Sequence, residues 1–197
     1  MKEIVRVFFN HKAFPNCCMV VLKEKETTKY ETKENVTVLY NEDEIIGYNI
    51  TDEVFSKYLD GYQPLNETLF GEINQILKNV NESIDADMEI RLKVGKVIEC
   101  VEHPESDHLH VCKVDVGSEV LQIVCGAHNV CEGILVVCAC ENAVMPNGKL
   151  ITPGKLRGVE SYGMLCSAYE LGLIDEPKRG LLILDDTYVI GSEFRGN

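Results

Sequence analysis

The chain has 197 residues, with 19 Lys and Arg against 32 Asp and Glu, a formal net charge of −13. That length holds one full-sized domain or two small ones, and 45% hydrophobic with 26% charged residues excludes wholesale disorder. The charge also excludes a generic basic coat for nucleic acid. Any nucleic-acid role must use a local patch against an unfavourable overall field.

Met1 to Val20 interleaves Lys2, Glu3, Arg6, Asn10, His11 and Lys12 with apolar residues, so no secretion signal is expected there. The longest apolar run, Ile134 to Cys140, has seven residues, far short of the roughly 20 that span a bilayer. A soluble, cytoplasmic protein without a membrane partner is expected. The nine cysteines contain no C-x-x-C pair, and most sit inside apolar runs. Cys125, His128 and Cys131 lie three apart, but no further ligand pair is near in sequence. Small buried hydrophobes in a reducing compartment explain the cysteines better than zinc, and neither metal nor cofactor is expected.

The chain begins with β-rich runs at Ile4–Phe9, Cys17–Lys23, Asn35–Tyr40 and Glu44–Ile50. A short helix is expected over Asp52–Leu59. A longer one follows, in which Leu69, Phe70, Ile73, Ile76, Leu77 and Val80 make one apolar stripe, with Asn66 as N-cap and Leu65 as a staple before it. Residues 1–82 thus read as a small α+β domain. Residues 83–90, overlapping the acidic stretch Asn81–Glu89, have no strong period and read as a linker.

From residue 91 the pattern turns almost wholly β. Leu92–Val101, Val111–Val116, Val120–Cys125 and Ile134–Cys140 are strand-like, and turn chemistry at Gly117-Ser118, Gly126-Ala-His-Asn129 and Pro146-Asn-Gly148 separates them. Several short strands in about 100 residues with little helix point to a small closed barrel over 91–197.

Catalytic templates fail on inspection. Gly158-Val-Glu-Ser-Tyr-Gly163 is no serine-hydrolase elbow, because Val159 stands where a glycine must precede the serine by two. Gly148 to Lys155 is no phosphate loop, because its gap holds five residues and Leu156 follows the lysine. His103, His108 and His110 beside Glu105 and Asp107 read as a polar turn rather than a metal site. No carboxylate pair stands out as acid and base, and no enzyme is expected.

Two stretches carry more information. In Ile123-Val-Cys-Gly-Ala-His-Asn129, Gly126 permits a tight turn, and Asn129 can either brace the loop or bond a ligand. In Lys155-Leu-Arg157-Gly-Val-Glu-Ser161-Tyr-Gly-Met164-Leu-Cys-Ser167, two cations lie beside Gly158 and Gly163, which would admit a ligand backbone. Ser161 supplies a small polar group and Met164 a soft apolar contact. Lys149 adds charge, and no acid lies between it and Glu160, making this the clearest basic patch in an acidic chain.

These residues carry a resemblance. Val94-Gly-Lys-Val97, His103-Pro-Glu-Ser-Asp107-His-Leu109, Ile123–Asn129, Leu156-Arg-Gly-Val159, Ser161–Ser167 and Glu170-Leu-Gly-Leu173 follow one order. That order resembles the EMAP-II type of tRNA-binding domain, an OB-fold (Greek-key) barrel also found in bacterial phenylalanyl-tRNA synthetase beta subunits and at the end of methionyl-tRNA synthetases. It covers about residues 91 to 194. The whole chain resembles YtpR-type tRNA-binding proteins, which place a small α+β domain before the barrel; Phe55 and Gly47-Tyr-Asn-Ile50 sit where that domain has a similar segment. The resemblance implies non-catalytic binding of folded tRNA by shape. Ser161 and Met164 would contact RNA, and Arg157 and Lys155 would face phosphates. Where the family usually has Ala-Asp-Lys-Leu, this chain has Ser106-Asp-His-Leu109, so His108 replaces a lysine contact.

Lys149, Asn129 and Tyr162 complete the candidate RNA-binding set. Residues 91–197 hold only Tyr162, Tyr169, Tyr188 and Phe194 as aromatics, so at most one stacked base is expected. With about three to five phosphate contacts, log K against log salt should slope at roughly −2 to −4. The expected partners are tRNA, a second copy of the chain, since related barrels dimerise, and an aminoacyl-tRNA synthetase or other translation component. The competing reading is a protein-interaction module, with an acidic N-terminal domain that docks a partner and a barrel that serves as scaffold or dimer interface.

Overall fold

Alternation of apolar and polar residues builds the first sheet. In the computed structural model, which describes residues 2–196, strands β1 (Arg6–Phe9), β2 (Cys17–Val21), β3 (Lys29–Lys33), β4 (Val36–Asn41), β5 (Glu44–Thr51) and β6 (Gly61–Gln63) form an antiparallel sheet in the order β3-β4-β5-β2-β1-β6. Val7 and Phe9, Cys18 and Val20, Val36 and Val38, and Tyr48 and Ile50 fall two apart on their strands and share one face. That face forms one core with Leu69, Ile73, Ile76 and Leu77 of helix α1 (Glu67–Asn79). The Asn66 side chain accepts from the Leu69 N–H (3.0 Å), so the helix starts at the expected cap. Between β5 and β6 a short 3₁₀ helix, Glu53–Lys57, capped by Asp52, sends Phe55 into the same core.

Residues 83–89 are not a linker here. Ile84 and Ala86 are buried in the first core. Glu3 donates to Asp85 O (2.7 Å) and accepts from the Asp87 N–H (2.8 Å), and the Asn74 amide bonds both the N–H and the C=O of Ile84. Two compact units result, Met1–Glu89 and Ile90–Asn197. Ile84, Ala86 and Met88 alternate with Asp85, Asp87 and Glu89, a short two-residue period masked by the acidic composition, and Met88 packs against the same core.

The second unit is a nearly closed sheet. Strands β7 (Leu92–His103), β8 (Ser106–Asp115), β9 (Val120–Cys125), β10 (Leu135–Cys140) and β13 (Gly163–Leu165) pair antiparallel in the order β13-β10-β7-β8-β9. Strands β11 (Gly154–Leu156) and β12 (Val159–Ser161) make a separate hairpin, and β14 (Ile183–Leu184) pairs with β10. Register shifts in β7 near Ile98 let its first half pair with β10 while its second half follows β8. The Tyr162 N–H donates to Gln122 O (2.9 Å), bringing the chain between β12 and β13 onto β9.

Strand β10 explains the longest apolar run in the sequence. Val136 and Cys138 face the core shared with Val97, Cys112, Val114 and Ile123. Val137 and Ala139 face a second core with Met145, Ile151, Cys166 and Phe194. A strand buried on both faces has no polar side to alternate with. All nine cysteines are free thiols. Burial lifts the thiols of Cys17, Cys18, Cys112, Cys125 and Cys166 above their ordinary value, keeping them protonated. Among the described residues, no group of three or more His, Cys, Asp or Glu could hold a metal ion, and no helix is long and apolar enough to cross a membrane.

Candidate nucleic-acid interface

The β11–β12 hairpin carries the basic patch seen in the sequence, and antiparallel pairing changes its charge. Its two-residue turn, Arg157-Gly158, has φ of 44° and 83°, the left-handed pair that a tight hairpin requires. Pairing sets Lys155 opposite Glu160, and the two form an ion pair at 3.3 Å. Tyr162 O–H donates to the same carboxylate. That hydroxyl, then the lysine, hold the Glu160 carboxyl below its ordinary value, and the carboxylate in turn raises the Tyr162 phenol. Arg157 donates from Nη1 to Glu105 O (3.0 Å). The imidazole of buried His103 bonds Leu156 O (3.1 Å) through Nε2 and accepts from the Glu105 N–H (3.0 Å) at Nδ1, tying the hairpin tip to the β7–β8 turn.

Two of the expected RNA contacts, Ser161 and Asn129, spend their polar groups on the fold. Ser161 is buried, with 5% of its surface exposed. Its Oγ accepts from the Val124 N–H (3.1 Å) and donates to Gly163 O (3.2 Å), so both bonds serve barrel closure. Gly163 admits no ligand: a Cβ there would lie 2.7 Å from Ala139 O, so the glycine makes room for the barrel's own backbone. Asn129 braces the fold, its amide bonding the Leu181 N–H (2.8 Å) and C=O (3.1 Å). Lys149 is exposed on a different turn, closed by Met145 N–H to Lys149 O (2.9 Å). His108 is exposed, 3.2 Å from Asp107.

Met164 belongs to a cleft that the sequence did not announce. A hollow of about 330 Å³ is lined by Val124 to Ala127 at the end of β9, by Met164, Leu165, Ser167 and Glu170, and by Lys178 to Leu181. Lys178 and Arg179 are exposed, and among the described residues neither has an ion pair. Glu170 Oε2 accepts from both the N–H and the O–H of Ser167 (2.7 Å each), which fixes the carboxylate. The Asn129–Leu181 bonds hold the Lys178–Gly180 segment against the β9 end. A Cβ on Gly126 would lie 3.2 Å from Leu109 Cδ2, so this glycine packs closely against β8. The signal for Lys178 and Arg179 was Pro177-Lys-Arg-Gly180, two adjacent cations that a count of longer charge runs passes over.

A protein-family model described as "Putative tRNA binding domain" matches residues 92–193, which is the second unit from its first strand to its last turns. The chain belongs to this tRNA-binding-domain family. "Putative tRNA-binding protein YtpR" of Bacillus subtilis is 39% identical over 97% of this chain and 100% of that protein. The phenylalanine–tRNA ligase beta subunit of Sulfurimonas denitrificans is 38% identical over 75% of this chain and 19% of its own length, and that of Ralstonia nicotianae 53% identical over 53% and 14%. The chain spans under a fifth of those ligase subunits. Within the tRNA-binding-domain family, the Ser-Tyr-Gly-Met segment of this chain is thus a barrel-closing element on one side, through Ser161 and Gly163, and a cleft wall on the other, through Met164.

Proposed function

We propose that the chain is a non-catalytic, cytoplasmic tRNA-binding protein whose second unit is an OB-fold barrel that holds folded tRNA by its backbone. The observation that carries this reading is the pair Lys178 and Arg179, without a carboxylate partner among the described residues, lining a cleft in the unit that matches the tRNA-binding family. Phosphates neutralised there release counterions, which gives affinity in a chain of net charge −13. Arg157, held on Glu105 O, adds an exposed cation on the β11–β12 hairpin, where Lys155 is paired with Glu160. Exposed aromatic residues are sparse on this unit, which supports recognition of shape over base stacking.

A gel shift of the full chain with intact and with heat-unfolded bulk tRNA tests this. Folded tRNA is expected to bind tighter, with log K falling at a slope of roughly −2 to −4 against log salt. Equal binding of both forms contradicts shape recognition.

A further inference from the structure

The cleft combines features that phosphate binding alone does not use. Its rim carries Lys178 and Arg179, yet its wall carries Glu170, whose charge opposes any phosphate placed inside. Its lining is mixed and more polar than apolar, with Met164 and Leu165 supplying apolar groups beside the Gly126-Ala127 segment. About 330 Å³ lies at the small end of the range for bound organic ligands, enough for one nucleotide and too little for a duplex. Ser167 occupies Oε2 of Glu170 through both its donors, which holds that side chain in place and leaves Oε1 to accept from a ligand N–H.

We propose that this cleft takes one unpaired nucleotide of a bound RNA, with the base inside, its phosphates on Lys178 and Arg179, and Glu170 selecting bases that present an amino group. The proposal rests on the tRNA-binding reading and adds a base-selective subsite to it. The lining holds no aromatic residue, so Met164 supplies the soft apolar contact to the base and the polar groups supply selectivity. A carboxylate is acceptor-only when ionised, so it bonds the exocyclic amine of cytosine and repels the O4 carbonyl of uracil. Glu170 opens the Glu-Leu-Gly-Leu173 motif, and the subsite gives that residue a part in recognition.

The test is competition against labelled bulk tRNA on the full chain, using the single-stranded hexamers rC6 and rU6 and a blunt RNA duplex of 12 base pairs. The two hexamers differ at the position Glu170 reads. The hexamer rC6 is expected to displace tRNA at about tenfold lower concentration than rU6, as a hydrogen bond to a charged group requires, and the duplex is expected to compete worst. In Glu170→Gln the amide still accepts from Ser167 but donates to uracil, so the preference for rC6 is expected to vanish or reverse at unchanged melting temperature. Equal displacement by rC6 and rU6, or displacement by the duplex as good as by rC6, overturns the proposal whether or not the variant folds. An unchanged preference in a folded Glu170→Gln also overturns it. Failure of the wild-type chain to bind tRNA at all would instead remove the reading on which the proposal stands.

Discussion

The β11–β12 hairpin and the β9 cleft are two cationic regions of one barrel, and folding treats them in opposite ways. The hairpin's Lys155 and Arg157 stand out along the chain, with no acid between Lys149 and Glu160. Antiparallel pairing then puts Glu160 directly across from Lys155 and turns a linear run of positive charge into an ion pair. The cleft's Lys178 and Arg179 follow Asp175 and Glu176 in sequence and look neutralised there, yet among the described residues no carboxylate pairs with them. Charge density along a chain is therefore a poor guide to the field a ligand meets; register decides which charges survive.

The sharpest way to break this comparison is to reverse the cleft's charge. Lys178→Glu with Arg179→Glu is expected to weaken tRNA binding about 100-fold at 0.1 M salt, as the loss of two phosphate contacts and added repulsion require. The melting temperature should hold, because neither residue has an ion pair to lose among the described residues. If tRNA binding survives that change, the competing view of the chain as a protein-interaction module gains.

Ser161→Ala separates folding from binding. The Val124 N–H would be left buried without its acceptor, at a cost of about 1–3 kcal/mol of stability. Denaturant melts should show that loss while tRNA affinity stays within about twofold, since Ser161 serves barrel closure. A large loss of affinity in a fully folded variant would return Ser161 to the interface.

Arg157→Glu is a milder probe of the hairpin. Arg157 is exposed, and one of its donors is held by Glu105 O. Its reversal is expected to weaken tRNA binding about fivefold, less than reversal of the cleft pair, because it contributes about one phosphate contact. A loss exceeding that of the cleft variant would invert the ranking of the two regions. Glu160→Gln frees Lys155 and is expected to tighten tRNA binding about twofold, readable as a slightly steeper salt dependence.

The smallest effect is a pH signature. Glu160 has its folded-state value depressed by the Tyr162 hydroxyl and then by Lys155. Its contribution to the hairpin is thus fully present above the ordinary carboxylate value and is lost as pH falls through the lowered folded value. Titration followed by carboxyl carbon shifts should show Glu160 protonating below the ordinary glutamate value. Replacing Tyr162 by Phe should move it back up.

How much was legible in the sequence follows from which signals are local. Asn66 capping α1, a short helix after β5 (expected over 52–59 and found as 3₁₀ over Glu53–Lys57), and the apolar runs of β1, β2, β4, β5 and β9 are local and read directly. Strand β3 was missed because Lys-Tyr-Glu-Thr-Lys has no apolar face; it forms an exposed sheet edge, paired only to β4. Strand β8 starts at Ser106 rather than Val111 because its first residues are polar and exposed, giving no alternation to read. The short β11 to β14 depend on non-local pairing, and so does the fate of the candidate site. Nothing in Ser-Tyr-Gly-Met says that the serine will bond Val124, 37 positions earlier, or that Gly163 will lie against Ala139. Met164, half-buried, alternates away from Leu165, packs against the second core and still lines the cleft.

The salt dependence of tRNA binding by the full chain, compared with that of Lys178→Glu/Arg179→Glu, tests the central claim most directly. A slope of roughly −2 to −4 for the wild type, shallower by about 2 in the variant, is the predicted result. Identical slopes in the two proteins would show that phosphates do not meet the cleft, and would contradict the account.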